Sequence, residues 1–329
     1  MNWIFLLIVF LLLVIAELIY FKIADHFNII DKPNERSSHS KPVIRGGGII
    51  FLVGIWLYAA AAHFNYPYFL TGLTLIAAVS FLDDMHSLPR KLRLAIHTLS
   101  ILLMLWQLQL LSLENWWLVA ILLFAGVGIV NLYNFMDGIN GITGGYSLAV
   151  LLPLWYLNQS LQFIDDNFII AILLSDLVFC FFNFRTKARC FAGDVGSVGM
   201  AFVILFLLAR LIVQTLDFTY LLFLAVYGID AGLTIVHRLR LHENLGTAHR
   251  KHCYQLLANE VKWPHVAVAL GYTLLQFVIS AGLLLISQPA CRWSYFIIIV
   301  VALSIVYLLL VKKYYPLHEA YLKQCGKKT

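Results

Sequence analysis

Asn131-Leu-Tyr-Asn134-Phe-Met-Asp137-Gly-Ile-Asn140-Gly-Ile-Thr-Gly-Gly145 joins two long apolar runs, 116–130 and 146–157. One carboxylate, three amide side chains and four glycines therefore sit where a chain leaves and re-enters an apolar environment. Polar groups at membrane depth are costly and are tolerated mainly where they line a cavity or serve a reaction. Glycine permits close approach of backbone to a ligand. The fold is read outward from this stretch: apolar runs on either side, and polar connections that share its side.

The chain of 329 residues is 61% hydrophobic and 12% charged, with a mean hydropathy of +0.85. Soluble domains are about half apolar and a quarter charged, so this is an integral membrane protein. A spanning helix needs about 20 mostly apolar residues. Eleven runs qualify: 3–21, 47–63, 67–82, 92–111, 116–130, 143–157, 167–182, 198–213, 219–236, 263–286 and 293–311. The expected fold is an all-α, polytopic transmembrane bundle of about 11 helices forming a single domain over 1–329. Its motif-bearing part is 32–257, followed by C-terminal helices and a basic tail over 258–329. The first run has no basic segment before it and no small-residue cleavage site, so it reads as a retained helix.

Of the 23 Lys and Arg residues, all but Arg210 and Arg292 fall in alternate connections: 22–46, 83–93, 183–197, 237–262 and the tail from Lys312. The positive-inside rule puts that set in the cytoplasm. The other connections are short and carry Glu114, Asp165, Asp166 and Asp217. A net charge of +6 dispersed in this way reads as topology, with no nucleic-acid partner indicated. Cys180, Cys190, Cys253, Cys291 and Cys325 show no C-x-x-C spacing, which argues against a zinc site and a disulfide framework.

Four further polar stretches share the side of the opening loop. The first is Arg36-Ser-Ser-His39-Ser-Lys41-Pro-Val-Ile-Arg45-Gly-Gly-Gly48. Its glycines open a helix, and helix N-termini attract anions; Lys41 and Arg45 suit phosphates. A flexible hinge carrying topology signals is the plainer reading. The third run ends in Phe81-Leu-Asp83-Asp84-Met-His86. Two adjacent acids at a helix C-terminus oppose the dipole and each other, which argues for metal binding or proton abstraction over a solvated pair. In the opening loop Asp137 and Asn140 are three apart and would share a face in a helical turn; an Asx turn is the alternative.

Before the eighth run lies Arg185-Thr-Lys187-Ala-Arg189-Cys-Phe191-Ala-Gly193-Asp194-Val-Gly196-Ser197. Ser197 reads well as an N-cap, whereas Asp194 among glycines reads as an exposed carboxylate. Mg²⁺ uses one or two carboxylates plus substrate phosphates. The last large loop holds His237-Arg238-Leu-Arg240 and Gly246-Thr-Ala-His249-Arg250-Lys251-His252-Cys-Tyr254-Gln255. His249 and His252 would share a helical face. A phosphate-binding basic cluster and an amphipathic helix on anionic headgroups both fit. Asp230 is a further acid near this face, and Arg210 has no evident partner.

Taken together, these stretches resemble the polyprenyl-phosphate N-acetylhexosamine-1-phosphate transferases, the superfamily that makes lipid I and starts O-antigen and enterobacterial common antigen. The resemblance runs from about residue 32 to 257. It rests on Phe81-Leu-Asp83-Asp84, Asn131-x-x-Asn134-x-x-Asp137-Gly-x-Asn140-Gly, Phe191-x-Gly193-Asp194-x-Gly196-Ser197 and Ala248-His249-Arg250-x-His252. The last looks most like the O-antigen-initiating branch. The resemblance implies that undecaprenyl phosphate attacks a UDP-N-acetylamino sugar at the cytoplasmic face of the bacterial inner membrane, with Mg²⁺ (or Mn²⁺) as cofactor.

It also implies Asp83, Asp84, Asp137 and Asp194 as catalytic residues, with Asp194 and Asp83 on the metal. Asp83 and Asp84 would sit by the lipid phosphate. Lys41, Arg45, Asn134, Asn140, Phe191, His249, Arg250 and His252 would bind substrate, with Asn140 at the base or sugar and Phe191 stacked on uracil. Two positions depart from the family: Asn140 stands where Asp is usual, and Ser87 where some relatives carry lysine. A homodimer and the identity of the sugar stay open. The competing class is a flippase or transporter of an anionic lipid or nucleotide sugar. A prenyltransferase lacks support, because no N-D-x-x-D-like motif is present.

Overall fold

The computed structural model describes residues 3–31, 42–244, 246 and 249–324; Lys41 lies outside them, as do Ala248 and Cys325. The helices in chain order are α1 (Trp3–His26), α2 (Ile49–Ala61), α3 (Pro67–Met85), α4 (Arg90–Gln107), α5 (Trp116–Phe135), α6 (Ile142–Leu161), α7 (Asp166–Asn183), α8 (Gly193–Thr215), α9 (Ala225–Arg240), the short α10 (Cys253–Gln255), α11 (His265–Leu284) and α12 (Pro289–Gln324). A 3-10 helix, Phe218–Leu224, leads into α9, and a π turn, Leu256–Glu260, follows α10. Each of the eleven expected runs falls on a separate long helix. Among the described residues, eight helical segments are long and apolar enough to span by length and composition. Of the rest, α2 is only 13 residues long, and α4 opens on Arg-Lys-Leu-Arg.

The enclosed centre is α8, apolar along most of its length and covered on several sides. Helix α3 runs antiparallel to it. Phe69 stacks on Phe206 with ring centroids 4.1 Å apart, while Asp84 at the other end of α3 reaches the first residues of α8. Helix α5 is also antiparallel: Asn134 in its last turn accepts from Ser197 Oγ at 2.5 Å. Two helix C-termini thus converge on one N-terminus. The N-terminus of α2 packs against the same end, where a Cβ on Gly48 would lie 2.2 Å from the Gly196 Cα, so glycine is what admits this contact.

The connections at this end form one body. Ile30–Asp31 pairs antiparallel with Val43–Ile44. The 44–48 segment then zips to the 190–192 segment: Phe191 N donates to Ile44 O at 2.8 Å, Gly47 N to Phe191 O at 2.8 Å and Gly48 N to Ala192 O at 3.1 Å. Two expectations change here. Residues 249–252 are not helical, so His249 and His252 are brought together by the loop, ring centroids 4.9 Å apart. The basic tail is not a separate appendage either, since α12 continues through Pro316 to Gln324. At 36 residues it is about 54 Å long, well beyond a hydrocarbon core of about 30 Å.

Candidate active site

The two acids ending α3 oppose their own helix dipole, and the packing resolves this. Asp84 accepts from the backbone N–H of Asp194 at 3.0 Å and of Val195 at 3.1 Å. Its side chain is fully buried at the positive end of α8, where a carboxylate is favoured. Gly193 makes room for it: its φ is +69°, and a Cβ there would lie 2.5 Å from Asp84 Oδ2 and 2.9 Å from Gly46. Arg45 Nε pairs with Asp84 Oδ1 at 2.7 Å, and Arg45 Nη2 approaches Asp194 Oδ1 at 3.4 Å.

Asp83 turns the other way. It accepts from Leu88 N at 2.7 Å and pairs with Arg93 Nη1 at 2.5 Å. The same Arg93 nitrogen is 3.4 Å from Asp194 Oδ2. Three carboxylates thus share two guanidinium groups, and Asp194 is common to both arginines. Among the described residues no three His, Cys, Asp or Glu side chains make a ready cage for a metal. The residues nonetheless fit a hard divalent ion, which takes one or two carboxylates and completes its shell from phosphates and water. Arg93 Nη1 already marks a cation position between Asp83 and Asp194.

Asp194 opens into a cavity of about 430 Å³ lined also by Ser80, Arg90, Arg93, Leu94, His97, Asn131, Asn134, Phe135, Val198, Gly246, His249, His252 and Gln255. That volume suits a small-molecule site. Helix α4 and the loop between α9 and α10 both line it, and the two meet where Gly246 packs on Arg90 Nη1. Burial, together with the charges of His252, Arg238 and Lys251, lowers the pKa of His249 to about 3. Its imidazole is a neutral hydrogen-bonding group until an anion joins it. His252 is held from behind by Asp230, whose Oδ1 is 3.6 Å from His252 Nδ1 and accepts from Cys253 N at 2.9 Å. Tyr272 donates to the other oxygen of Asp230 at 2.6 Å.

This loop is braced by the end of α12. Lys251 Nζ donates to Tyr315 OH at 3.0 Å and also pairs with Glu243. Glu243 binds Arg238 Nε at 3.0 Å, and His318 meets Glu260 at 2.8 Å. Arg250 lies 5.4 Å from the Tyr321 ring centroid.

Of the expected site residues, Asp194, Asn134, His249 and His252 line the cavity, while Asp83, Asp84 and Arg45 adjoin Asp194 behind it. Asp137, Asn140, Phe191 and Arg250 are not among its lining residues. Asp137 accepts from Thr143 Oγ1 at 2.6 Å; burial raises its pKa to about 6, opposed by that hydrogen bond and reinforced by the charge of Asp194. Asn140, 7% exposed, donates its amide to the carbonyls of Arg185 at 3.0 Å and Thr186 at 3.3 Å. A carboxylate in its place has no proton to give these acceptors. The sequence reading did not assign Arg93, Arg90 or His97 to the site: the two arginines read as charges neutralising the acid pair, and His97 gave no signal. Arg210, which lacked an evident partner, donates to Phe163 O at 2.8 Å.

The comparisons with known proteins bear on this arrangement. Residues 66–212 match the family described as Glycosyl transferase family 4, a span that holds Asp83, Asp84, Asp137 and Asp194. That match covers a little under half of the chain, and the family description with the printed names of the relatives indicates an enzyme, a transferase. Among relatives, the chain is 24% identical to a Bacillus subtilis protein named "Probable undecaprenyl-phosphate N-acetylglucosaminyl 1-phosphate transferase", over 85% of this chain and 83% of that one. It is 27% identical to the Escherichia coli K12 undecaprenyl-phosphate alpha-N-acetylglucosaminyl 1-phosphate transferase, over 57% of this chain and 56% of the relative. A phospho-N-acetylmuramoyl-pentapeptide-transferase of Thermotoga neapolitana is 31% identical over 47% of this chain and 56% of its own length. The family match leaves the α9–α10 loop and the α12 brace outside it.

Proposed function

We propose that the protein transfers a phospho-N-acetylamino sugar from a UDP-sugar to undecaprenyl phosphate. The products are undecaprenyl-diphospho-sugar and UMP, and the reaction is the first step in building O-antigen or another cell-surface polysaccharide. The site faces the cytoplasm at the bacterial inner membrane. The observation that carries this reading is Asp194 at the head of α8, opening into a cavity that His249 and His252 also line. The printed activities of the relatives support the same reaction class.

Phosphoryl-type transfer asks a protein mainly for positioning and charge neutralisation. An oxygen of the lipid phosphate attacks the β-phosphorus of the donor. As that bond forms, the bond from β-phosphorus to the bridging oxygen breaks, and the oxygen departs on UMP. A phosphomonoester has its second pKa near about 6, so the acceptor is ionised at neutral pH and no side chain has to remove a proton. His249 and His252, with Arg250 beside them, take the donor diphosphate. Asp194 and Asp83 would hold Mg²⁺ or Mn²⁺, which would supply charge neutralisation for the phosphates. Arg45 and Arg93 keep the carboxylates in place, and Asp84 fixes α8 beneath them.

The test is UMP release by the purified protein with undecaprenyl phosphate, Mg²⁺ and a panel of UDP-N-acetylamino sugars. One sugar is expected to give turnover, and Asp194→Asn to lower it on the order of a thousandfold without loss of membrane insertion. A flippase or transporter releases no UMP from any of them. Near-normal turnover in Asp194→Asn removes the metal assignment.

A further inference from the structure

Asp230 lies in none of the sequence motifs and outside the span of the family match. It sits within α9 and is 3% exposed. Burying a carboxylate is costly unless it is hydrogen-bonded and paired, and Asp230 is both. Its Oδ1 accepts from Cys253 N at 2.9 Å and from Thr234 Oγ1 at 3.3 Å. Its Oδ2 accepts from Tyr254 N at 3.3 Å and from Tyr272 OH at 2.6 Å. Among the described residues, the one basic side chain within ion-pair distance is His252, whose Nδ1 is 3.6 Å from Oδ1.

These bonds fix one segment. Cys253 and Tyr254 are the two residues after His252, and the His252 backbone N–H is held by Gln255 Oε1 at 3.3 Å. The Tyr254 hydroxyl donates to Phe135 O at 3.1 Å. It packs so closely on that loop that a Cβ on Gly138 would lie 2.2 Å from it. The imidazole carried by this segment is 2% exposed, lines the cavity, and has a hydrogen-bond partner at neither ring nitrogen. Buried polar atoms are normally satisfied, so a ring held unmet at a cavity wall takes a partner that arrives with a ligand. Asp230 is not among the lining residues; it reaches that ligand only through His252.

We infer that Asp230 is a positioning residue for the donor diphosphate: it fixes the 252–254 backbone and faces His252 Nδ1, so that Nε2 is the nitrogen left for a phosphate oxygen. This rests on the transferase reading for the identity of the diphosphate, but not for the link between Asp230 and His252. An imidazole no longer held in place gives up one hydrogen bond to a charged group, worth about tenfold in affinity.

The experiment has two arms on the full-length protein in nanodiscs. The first measures UMP release. Asp230→Asn keeps the size of the side chain but loses its charge and one acceptor oxygen. It is expected to raise KM for the UDP-sugar about tenfold, with a smaller change in kcat and none in KM for undecaprenyl phosphate. Tyr272→Phe, which frees one Asp230 oxygen, gives a several-fold rise and tests the same link if Asp230→Asn does not fold. A purely structural Asp230 would lower the amount of active enzyme, seen in kcat, and leave both KM values in place; that result overturns the proposal. A double-mutant cycle then isolates the pair. On a His252→Gln background Asp230→Asn is expected to add nothing to the donor KM, and effects that multiply independently overturn the assignment. The second arm titrates UDP and Mg²⁺ with no lipid acceptor present. Weaker UDP binding in both single variants, with no further loss in the double variant, supports the link. Binding that neither substitution weakens contradicts it. If UDP binds in this Asp230-dependent way yet no UDP-sugar releases UMP, the positioning role stands and the transferase reading falls.

Discussion

The two polar ends of the bundle handle their acids differently. At the end away from the motifs Asp165, Asp166 and Asp217 each settle a separate local problem. Asp165 caps α7 through Asn167 N at 2.9 Å, Asp166 takes the amides of Asn158 and Gln159, and Asp217 caps the 3-10 helix and pairs with Arg292 at 2.9 Å. At the motif end Asp83, Asp84 and Asp194 crowd together, share Arg45 and Arg93, and border a cavity whose histidine ring nitrogens include several with no hydrogen-bond partner among the described residues. The first arrangement stabilises helix ends. Crowded like charges oppose folding, so the second is explained by what it binds.

The sharpest way to break the comparison is to remove one cap at each end. Asp84→Ala strips α8 of its cap and leaves Arg45 without its buried partner; a loss of about 3 kcal/mol is expected, read as a lower thermal midpoint in detergent, together with loss of turnover. Asp165→Ala is expected to cost about 1 kcal/mol and to leave UMP release near wild type. Equal effects on turnover would erase the distinction between the two ends.

A second test uses pH. Asp137 has a folded pKa of about 6, above the ordinary carboxylate range. Between that range and pH 6 the folded state therefore holds the proton more tightly than the unfolded chain, and stability falls as pH rises through this window. Thermal midpoints from pH 4 to 7 are expected to show a steeper decline in wild type than in Asp137→Asn. Parallel curves would mean that Asp137 is not held in a buried environment.

A third, smaller effect probes the brace. Tyr315→Phe removes only the hydroxyl that accepts from Lys251 Nζ. It is expected to cost about 1 kcal/mol, seen as a several-fold rise in KM for the UDP-sugar with little change in kcat. No change in either constant would show that the α12 extension does not position the loop.

The eleven apolar runs were legible because continuous hydrophobicity is a one-dimensional signal, and each became a helix. The clustering of Asp83, Asp84 and Asp194 was legible as a shared side. Their separate jobs were not, because the N–H groups that claim Asp84 lie 110 and 111 residues further along the chain. Asn140 looked like a ligand-reading amide, yet its N–H groups go to the backbone of the α7–α8 loop, a partner no local pattern announces. The charged end of α12 was read as a basic tail from Lys312. Its helix persists because Tyr307, Val311 and His318 are buried along one face, a spacing masked by the lysines and Pro316 between them. His97 was hidden for the opposite reason: a single histidine in an apolar helix gives no signal until the cavity beside it is seen.

The most direct test of the account is two-substrate kinetics on His249→Ala, since the central claim is that the cavity beside Asp194 takes the donor diphosphate on His249 and His252. The account requires KM for the UDP-sugar to rise about tenfold while KM for undecaprenyl phosphate stays at its wild-type value. A rise in the acceptor KM, or unchanged constants for both substrates, would contradict it.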